Sequence, residues 1–169
     1  MAPVVVFVGA PGAGKTAVAE NVAQRLDRQF ADTDTEVEKL AGLSITDLFV
    51  DEGEAGFRRR ERDAVVAALS QHDEVLALGG GAVVDDNTRA DLAELTVVWL
   101  QVGATEAAKR AGISGPRPLL LGNVRTTWLG QLRDREELYR EVATYEVDTN
   151  RRSVDEVAEE VAQLLADSS

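Results

Sequence analysis

Apolar residues in this chain form short, nearly continuous runs, and longer stretches with apolar residues on one face lie between them. The runs predict five strands, over Val4–Val8, Phe30–Asp32, Val75–Leu78, Thr96–Val102 and Tyr145–Asp148. The amphipathic stretches predict helices, over Thr16–Arg28, Thr35–Leu40, Gly53–Leu69, Thr88–Leu95, Thr105–Ala111, Thr126–Ala143 and Ser153 to about Leu165. Strands that alternate with helices are typical of a parallel sheet covered by helices on both faces. We therefore predict a three-layer α/β fold in one domain that spans residues 1–169.

The segment Gly9–Thr16 joins the first predicted strand to the first helix and fits the pattern G-x-x-x-x-G-K-[ST]. In such a phosphate loop, backbone N–H groups surround a phosphate chain, the lysine (Lys15) reaches the outer phosphates and the hydroxyl (Thr16) binds Mg²⁺. The alternative is an ordinary glycine turn between a strand and a helix. An ordinary turn does not require Lys-Thr after its last glycine, so the segment favours nucleotide binding.

Two further groups of candidate residues follow predicted strands. Asp32 and Asp34 end the second strand, where one carboxylate can serve Mg²⁺ and the other a substrate hydroxyl. Gly79, Gly80 and Gly81 follow the third strand, and residues without Cβ let the backbone approach a ligand closely. Ligands of such folds bind at the carboxyl ends of the strands, so we expect both groups beside the phosphate loop. The alternatives are a solvated acidic turn or helix cap for the first group and a flexible turn for the second.

Arginine makes up 15 of the 18 basic residues, and its planar guanidinium holds carboxylates and phosphates at two points. Arg58 has Glu54 four residues before it and Glu61 three after it, so both acids can orient it on one helix face. An arginine oriented in this way suits a substrate carboxylate, whereas the alternative is a salt-bridged solvent face. Arg117 lies in the loop Gly112–Asn123, which is long enough to close as a lid and bring charge to a transferred phosphoryl group. A compositional bias is the alternative explanation for the general excess of arginine.

Composition narrows the class of protein further. The net charge of −12 disfavours non-specific binding to nucleic acid or to an anionic membrane. The absence of cysteine excludes disulfides, thiolate metal sites and a cysteine nucleophile. No apolar run reaches membrane-spanning length, and the N-terminus lacks the pattern of a secretory signal. We therefore expect a cytoplasmic monomer whose partners are small molecules rather than nucleic acid or membranes.

Taken together, these motifs resemble those of one family. The chain closely resembles the shikimate kinases, and most of all the actinobacterial forms, over essentially its whole length. The matching features are Gly12-Ala13-Gly14-Lys15-Thr16, Asp32-Thr33-Asp34, Gly53-Glu54-x-x-Phe57-Arg58-x-x-Glu61, Gly79-Gly80-Gly81-Ala82-Val83, Arg117-Pro118-Leu119-Leu120, Arg135-x-x-x-Tyr139 and Asp148-Thr149-Asn150-Arg151-Arg152.

The resemblance implies a phosphate-loop kinase fold with strand order 2-3-1-4-5, as in nucleoside monophosphate kinases. It implies transfer of the γ-phosphoryl group of ATP to the 3-hydroxyl of shikimate, which gives shikimate 3-phosphate and ADP in aromatic amino-acid (chorismate) biosynthesis. It also implies one Mg²⁺ per subunit, a substrate-binding region over residues 33–62 and a lid over residues 112–123.

Site residues follow from the resemblance position by position. Asp34 would bind the substrate hydroxyls and orient the attacking one, and whether it also removes the proton stays open. The catalytic residues implied are Lys15, Asp34 and Arg117, and the other substrate contacts implied are Phe49, Phe57, Arg58, Gly79, Gly80, Gly81 and Arg135. The ATP contacts implied are Gly12, Ala13, Gly14, Lys15, Thr16, Ala17, Arg110, Arg117 and Arg152. Thr16 would bind Mg²⁺ directly, and Asp32 would do so through water.

Two other functions compete with this interpretation. The first is another small-metabolite kinase of the same fold, such as a gluconate or nucleoside monophosphate kinase. The pair Arg58 and Arg135 together with the three glycines disfavours it. The second is a nucleotide-binding regulator without catalysis, which the intact set of Lys15, Thr16, Asp32, Asp34 and Arg117 disfavours.

Overall fold

Five parallel strands form the centre of the protein. The computed structural model describes residues 3–10, 13–70, 74–103, 106 and 135–168. Within these ranges the strands are β1 (Val5–Val8), β2 (Gln29–Asp32), β3 (Glu74–Ala77), β4 (Val97–Gln101) and β5 (Tyr145–Asp148). They lie in the order β2-β3-β1-β4-β5, and every neighbouring pair is parallel. The predicted fold class and strand order are confirmed.

Helices connect the strands and cover both faces of the sheet. They are α1 (Lys15–Leu26), α2 (Thr33–Ala41), α3 (Ile45–Leu69), α4 (Asp86–Leu92), α5, whose described part covers residues 135–142, and α6 (Val154–Asp167). A short 3₁₀ turn covers Ala82–Val84. The predicted loop Gly112–Asn123 lies outside the described residues, as do the start of the predicted helix Thr126–Ala143 and, apart from Glu106, the predicted helix Thr105–Ala111. No helix in the described ranges is long and apolar enough to cross a membrane.

The three central strands β1, β3 and β4 are mainly apolar because both faces of the sheet are buried there. Along β1, Val5 and Phe7 belong to a core cluster with residues of α1 and α6. Val6 and Val8 belong to a second cluster on the other face, with residues of α3, α4 and α5. This alternation follows from the two-residue repeat of a strand. At its carboxyl end, β1 leads into the phosphate loop.

Helix α2 begins directly at the end of β2, at Thr33 rather than at the predicted Thr35. The reason is a side-chain cap, since Asp32 Oδ1 accepts hydrogen bonds from the N–H groups of Asp34 (2.9 Å) and Thr35 (3.4 Å). Of the alternatives considered for Asp32 and Asp34, the helix cap is therefore confirmed for Asp32, which caps α2 through Oδ1. It also means that Asp34 lies in the first turn of a helix.

Helix α3 begins at Ile45, and the predicted helix Gly53–Leu69 is its second part. Ser44 caps it by accepting a hydrogen bond from Asp47 N at 3.1 Å. Gly53 lies inside the helix as a kink with φ 73° and ψ −179°, a conformation that favours glycine. The kink separates two helical segments, and Phe49 from the first packs against Phe57 from the second with ring centroids 4.7 Å apart.

Candidate active site

The phosphate loop follows β1 and ends at the N-terminus of α1. Gly9 must lack a side chain, because a Cβ there would lie 2.7 Å from the carbonyl oxygen of Leu100 in β4. Gly14 has φ +86° and precedes α1, whose first turn has no side-chain cap. The unpaired N–H groups and the positive end of the helix dipole are therefore available to an anion.

The Lys15 side chain contacts the backbone of this loop. Its Nζ donates hydrogen bonds to the carbonyl oxygens of Gly9 (2.8 Å) and Ala10 (3.1 Å). Burial lowers the pKa of Lys15 to about 8, although the carboxylates of Asp34 and Asp32 oppose the shift. Lys15 is therefore still mainly protonated at pH 7 and holds its positive charge at the loop.

A second contact joins the loop to the end of β2. Thr16 Oγ1 donates a hydrogen bond of 2.7 Å to Asp32 Oδ2. The described residues contain no group of three or more His, Cys, Asp or Glu side chains that could hold a metal. Mg²⁺ commonly takes only one or two protein oxygens and completes its shell with water and substrate phosphates. The adjacent oxygens of Thr16 and Asp32 fit that pattern.

Asp34 is a partly buried carboxyl group with unusual acid–base properties. Burial, together with the negative charges of Asp32 and Glu61, raises the pKa of Asp34 to about 6, although the positive charge of Lys15 opposes the shift. A carboxylate whose pKa approaches neutrality is a better proton acceptor than an ordinary aspartate. The site therefore contains a group with the properties of a general base.

The residues Gly79–Gly81, which we call the glycine triplet, lie against two charged side chains. A Cβ on Gly79 would overlap Asp34 Oδ1, and a Cβ on Gly81 would lie 2.5 Å from both terminal nitrogens of Arg58. Neither glycine has a left-handed φ, so the reason for glycine is the close approach of these groups. The N–H groups of Gly80 and Gly81 donate to none of the described residues. The triplet thus brings together a carboxylate, a guanidinium and two unused N–H donors.

Arg58 is held mainly by Glu61. Its Nη1 donates to Glu61 Oε1 at 2.7 Å, whereas Glu54 lies 3.9 Å from Nε and accepts no hydrogen bond from it. Burial raises the pKa of Glu61, and the Arg58 charge opposes that shift. The positive charge of Arg135 in α5 also acts on Glu61 and on Lys15. Two arginines from different helices therefore contribute to the same electrostatic environment.

Two aromatic rings lie beside these charges. Phe49 and Phe57 pack at an interplanar angle of 32°, and the Arg58 guanidinium carbon lies 5.3 Å from the centre of the Phe57 ring. Phe57 is buried, but Phe49 keeps 39% of its surface exposed. The site therefore combines an accessible apolar surface with a guanidinium group, which suits a small molecule with an apolar ring face and an acid group.

Comparison with known proteins agrees with this geometry. The family model described as "Shikimate kinase" matches residues 11–166 of the chain. The chain belongs to the shikimate kinase family.

Individual members of the shikimate kinase family match nearly the whole chain. It is 49% identical to the shikimate kinase of Salinispora arenicola over 98% of this chain and 99% of that protein. It is 47% identical to the enzyme of Thermobifida fusca, over 96% and 95% of the two chains. A shikimate kinase from Acinetobacter baumannii, solved in complex with shikimate, superposes with a TM-score of 0.91 at 34% identity, covering 100% of this chain and 95% of the other.

Most residues predicted for a shikimate kinase site are near one another in the structure. The phosphate loop, Asp32, Asp34, the glycine triplet and Arg58 are connected by the contacts described above. Arg152 is engaged elsewhere, since its Nη1 donates to the carbonyl oxygen of Asp148 (2.8 Å) and its Nη2 lies 2.9 Å from Glu160 Oε1. Ala17 is exposed in the first turn of α1, and Gly12, Arg110 and Arg117 lie outside the described residues. The roles given above to all of the site residues remain predictions.

Two residues without a predicted role, Thr33 and Tyr139, are connected to the site by hydrogen bonds. Thr33 is completely buried, and its Oγ1 accepts a hydrogen bond of 3.0 Å from Gly79 N. The Tyr139 hydroxyl donates one of 2.5 Å to the Gly80 carbonyl oxygen. The position of Tyr139 four residues after Arg135, on the same helix face, was a usable signal. Nothing in the sequence distinguishes Thr33 from any first residue of a helix.

Gly79→Ala tests the close approach of Asp34. The added methyl group must displace the Asp34 carboxylate, because the three atoms nearest to the new Cβ all belong to that group, and the backbone conformation of Gly79 allows alanine. A displacement of about 1 Å at a reacting group can reduce turnover by about 10²-fold. We expect that loss of kcat with little change in the melting temperature, measured by steady-state kinetics and thermal unfolding. Full activity of the variant would mean that Asp34 does not need its present position.

Proposed function

We propose that this chain transfers the γ-phosphoryl group of ATP to the 3-hydroxyl of shikimate and releases shikimate 3-phosphate and ADP. The observation that carries the proposal is the arrangement at the glycine triplet. There, the Asp34 carboxylate and the Arg58 guanidinium lie against backbone without side chains, beside a phosphate loop. A proton acceptor, an anion-binding group and a phosphate site are the three parts that a kinase for a hydroxy acid requires.

Each part has a distinct task in the proposed reaction. Asp34 receives the attacking hydroxyl, orients it toward the phosphate loop and accepts its proton as the oxygen–phosphorus bond forms. Arg58, with Arg135, binds the carboxylate of shikimate and so fixes the orientation of the ring. Lys15 exchanges the carbonyl oxygens of its own loop for the outer phosphates of ATP and stabilises the negative charge of the transferred group. Arg117 on the proposed lid over residues 112–123 adds a further positive charge.

The proposed metal site consists of Thr16 and Asp32. The Thr16 hydroxyl would bind Mg²⁺ directly, and Asp32 Oδ2, which accepts the hydrogen bond from Thr16, would hold one of the metal-bound waters. When bound, Mg²⁺ neutralises charge on the phosphates and makes the γ-phosphoryl group easier to transfer. Asp32 has a further, structural task as the cap of α2, so its replacement would affect more than the metal.

The proposal is tested by ATP turnover in a coupled assay, with and without an acceptor. We expect turnover with shikimate and Mg²⁺, and little without shikimate. Gluconate and nucleoside monophosphates are the acceptors for the competing kinase functions, and turnover with one of them instead of shikimate would overturn the proposal. ATP binding without turnover of any acceptor would favour the regulator. We further propose that the chain acts as a cytoplasmic monomer of one domain.

Arg58→Ala tests the carboxylate contact. Each hydrogen bond to a charged group contributes about 1.5–3 kcal/mol, and about 1.4 kcal/mol corresponds to a factor of ten in affinity. We expect shikimate to bind at least about tenfold more weakly, with ATP affinity almost unchanged, as measured by calorimetric titration of both ligands.

Arg60→Ala is the matched control for Arg58→Ala. Arg60 lies on the same helix and pairs with Glu52 at 2.8 Å, away from the glycine triplet. Its loss should leave both affinities unchanged. Unchanged shikimate affinity in the Arg58 variant would rule out Arg58 as the carboxylate ligand.

A further inference from the structure

Most of the polar backbone groups of the glycine triplet form hydrogen bonds within the protein, and the others are available to a ligand. The Gly79 carbonyl accepts from Ala82 N (3.1 Å), and the Gly81 carbonyl accepts from Val84 N (3.1 Å). The Gly80 carbonyl accepts from Tyr139, and the Gly79 N–H donates to Thr33. Of the six polar backbone groups of the triplet, only the N–H groups of Gly80 and Gly81 have no partner among the described residues. Four of the six groups are therefore fixed, two of them by side chains.

Tyr139 holds the peptide between Gly80 and Gly81 from the side of α5. Its ring is 1% exposed and packs against Trp99 of β4 with centroids 5.8 Å apart. Burial raises the pKa of its hydroxyl to about 12, opposed by the charge of Arg135 and by a hydrogen bond between these two side chains, so the hydroxyl keeps its proton at all working pH values. Because a trans peptide is planar, a Gly80 carbonyl that faces Tyr139 makes the N–H of Gly81 face the opposite way.

Thr33 holds the other end of the triplet from the side of α2. Thr33 follows Asp32, which caps the helix, and precedes Asp34. Its side chain is buried, and its hydroxyl oxygen accepts a hydrogen bond from the Gly79 N–H. Adjacent residues thus supply two contacts to Gly79: the Thr33 hydroxyl fixes its N–H group, and the Asp34 carboxylate lies against its Cα. A shift of the triplet would change its distance from Asp34 and from Arg58 together.

We propose that the hydroxyls of Thr33 and Tyr139 are positioning groups that fix the glycine triplet, so that the N–H groups of Gly80 and Gly81 remain free for the acceptor substrate. Without either hydroxyl, glycine residues with no side chain to anchor them can adopt other conformations. The inference rests on the proposed function for its effect on substrate, but not for its effect on the conformation of the triplet.

Tyr139→Phe and Thr33→Val remove one hydroxyl each while keeping size and shape. We expect KM for shikimate to rise about tenfold in each, with KM for ATP unchanged, because one hydrogen bond to the triplet is lost. Tyr139→Phe also loses the contact with Arg135, so the role of Tyr139 is decided by the amide signals of the glycines and not by KM alone. Thr33→Ser restores the acceptor and should return KM close to the wild-type value. A purely structural role would lower stability without this selective change in KM.

Two control variants distinguish a general loss of protein stability from a change in the position of the glycine triplet. Thr144 Oγ1 accepts a hydrogen bond of 3.0 Å from Val97 N at the amino end of β4, which is the edge of the sheet opposite the site. Tyr145 is a tyrosine on β5. Thr144→Val and Tyr145→Phe should leave KM for shikimate unchanged. If the site variants behave like these controls while the wild-type protein phosphorylates shikimate, the positioning role is wrong.

An NMR measurement tests the conformation independently of activity. In the free wild-type protein, the amide signals of Gly79, Gly80 and Gly81 should be single and sharp. In Tyr139→Phe and Thr33→Val they should shift and broaden through exchange, and in the two control variants they should not. Unchanged glycine signals in both site variants would overturn the inference whatever the substrate is, whereas failure of wild-type turnover would overturn only the proposed function.

Discussion

Asn in place of Asp34 should lower the turnover of shikimate by about 10²–10⁴-fold, which is the usual effect of removing a general base. Asparagine keeps the size and one oxygen acceptor but cannot accept the proton. ATP binding should persist, since Asp34 lies against the glycine triplet and not in the phosphate loop. Steady-state kinetics at saturating shikimate, with calorimetric titration of ATP, provide the measurement. A loss smaller than about tenfold would mean that Asp34 orients the hydroxyl without removing its proton.

The pH dependence gives a second result for the same variant. Asp34 must be ionised to act, and its pKa is about 6, so kcat/KM of the wild-type enzyme should fall as pH decreases through that value. Asp34→Asn should lack this acidic limb. Asp63→Asn, which removes a carboxylate from the exposed face of α3, is the control and should keep both the limb and the activity. An acidic limb that persists in Asp34→Asn would assign it to another group.

Lys15→Met should lower kcat by about 10²–10³-fold, the magnitude expected when a group that stabilises transition-state charge is lost. Methionine keeps the length of the side chain and removes only its charge and hydrogen bonds. The wild-type enzyme should also lose activity as pH rises through about 8, because Lys15 then loses its proton. A pH profile of the wild type and the rate of the variant test both expectations.

Lys39→Met is the matched control for Lys15. Lys39 is exposed in the last turn of α2, so its replacement should change neither kcat nor the alkaline limb. If Lys15→Met retained wild-type turnover, the phosphate loop would bind phosphate through its backbone alone.

The fold was predictable because its signals are local. The three central strands are short, mainly apolar runs. The capping box at Ser153 and Glu156 that starts the last helix is readable from four residues. Helix starts were harder to predict. Asp32 looks like a strand residue and also serves as a cap, and the segment before Gly53 remains helical despite the kink.

The site was predictable as a set of residue types but not as a set of contacts. The pairing of Arg58 with Glu61 follows from helix spacing, and the structure confirms it. The contact of Asp34 with Gly79 and the bridges from Thr33 and Tyr139 join residues at least 45 positions apart. Pairing at such separation depends on how the strands are ordered, and no local pattern encodes it.

The charge distribution of the molecule affects how its proposed substrates arrive. ATP and shikimate are both anions, yet the chain carries a net charge of −12, and Lys15 and Arg58 attract them only at short range. At low ionic strength, an approaching anion meets the repulsion of the whole protein before it reaches these cations. At physiological ionic strength the Debye length is about 8 Å, so the distant repulsion is screened while the close, partly buried contacts persist. We therefore expect moderate salt to speed the encounter with substrate rather than to slow it.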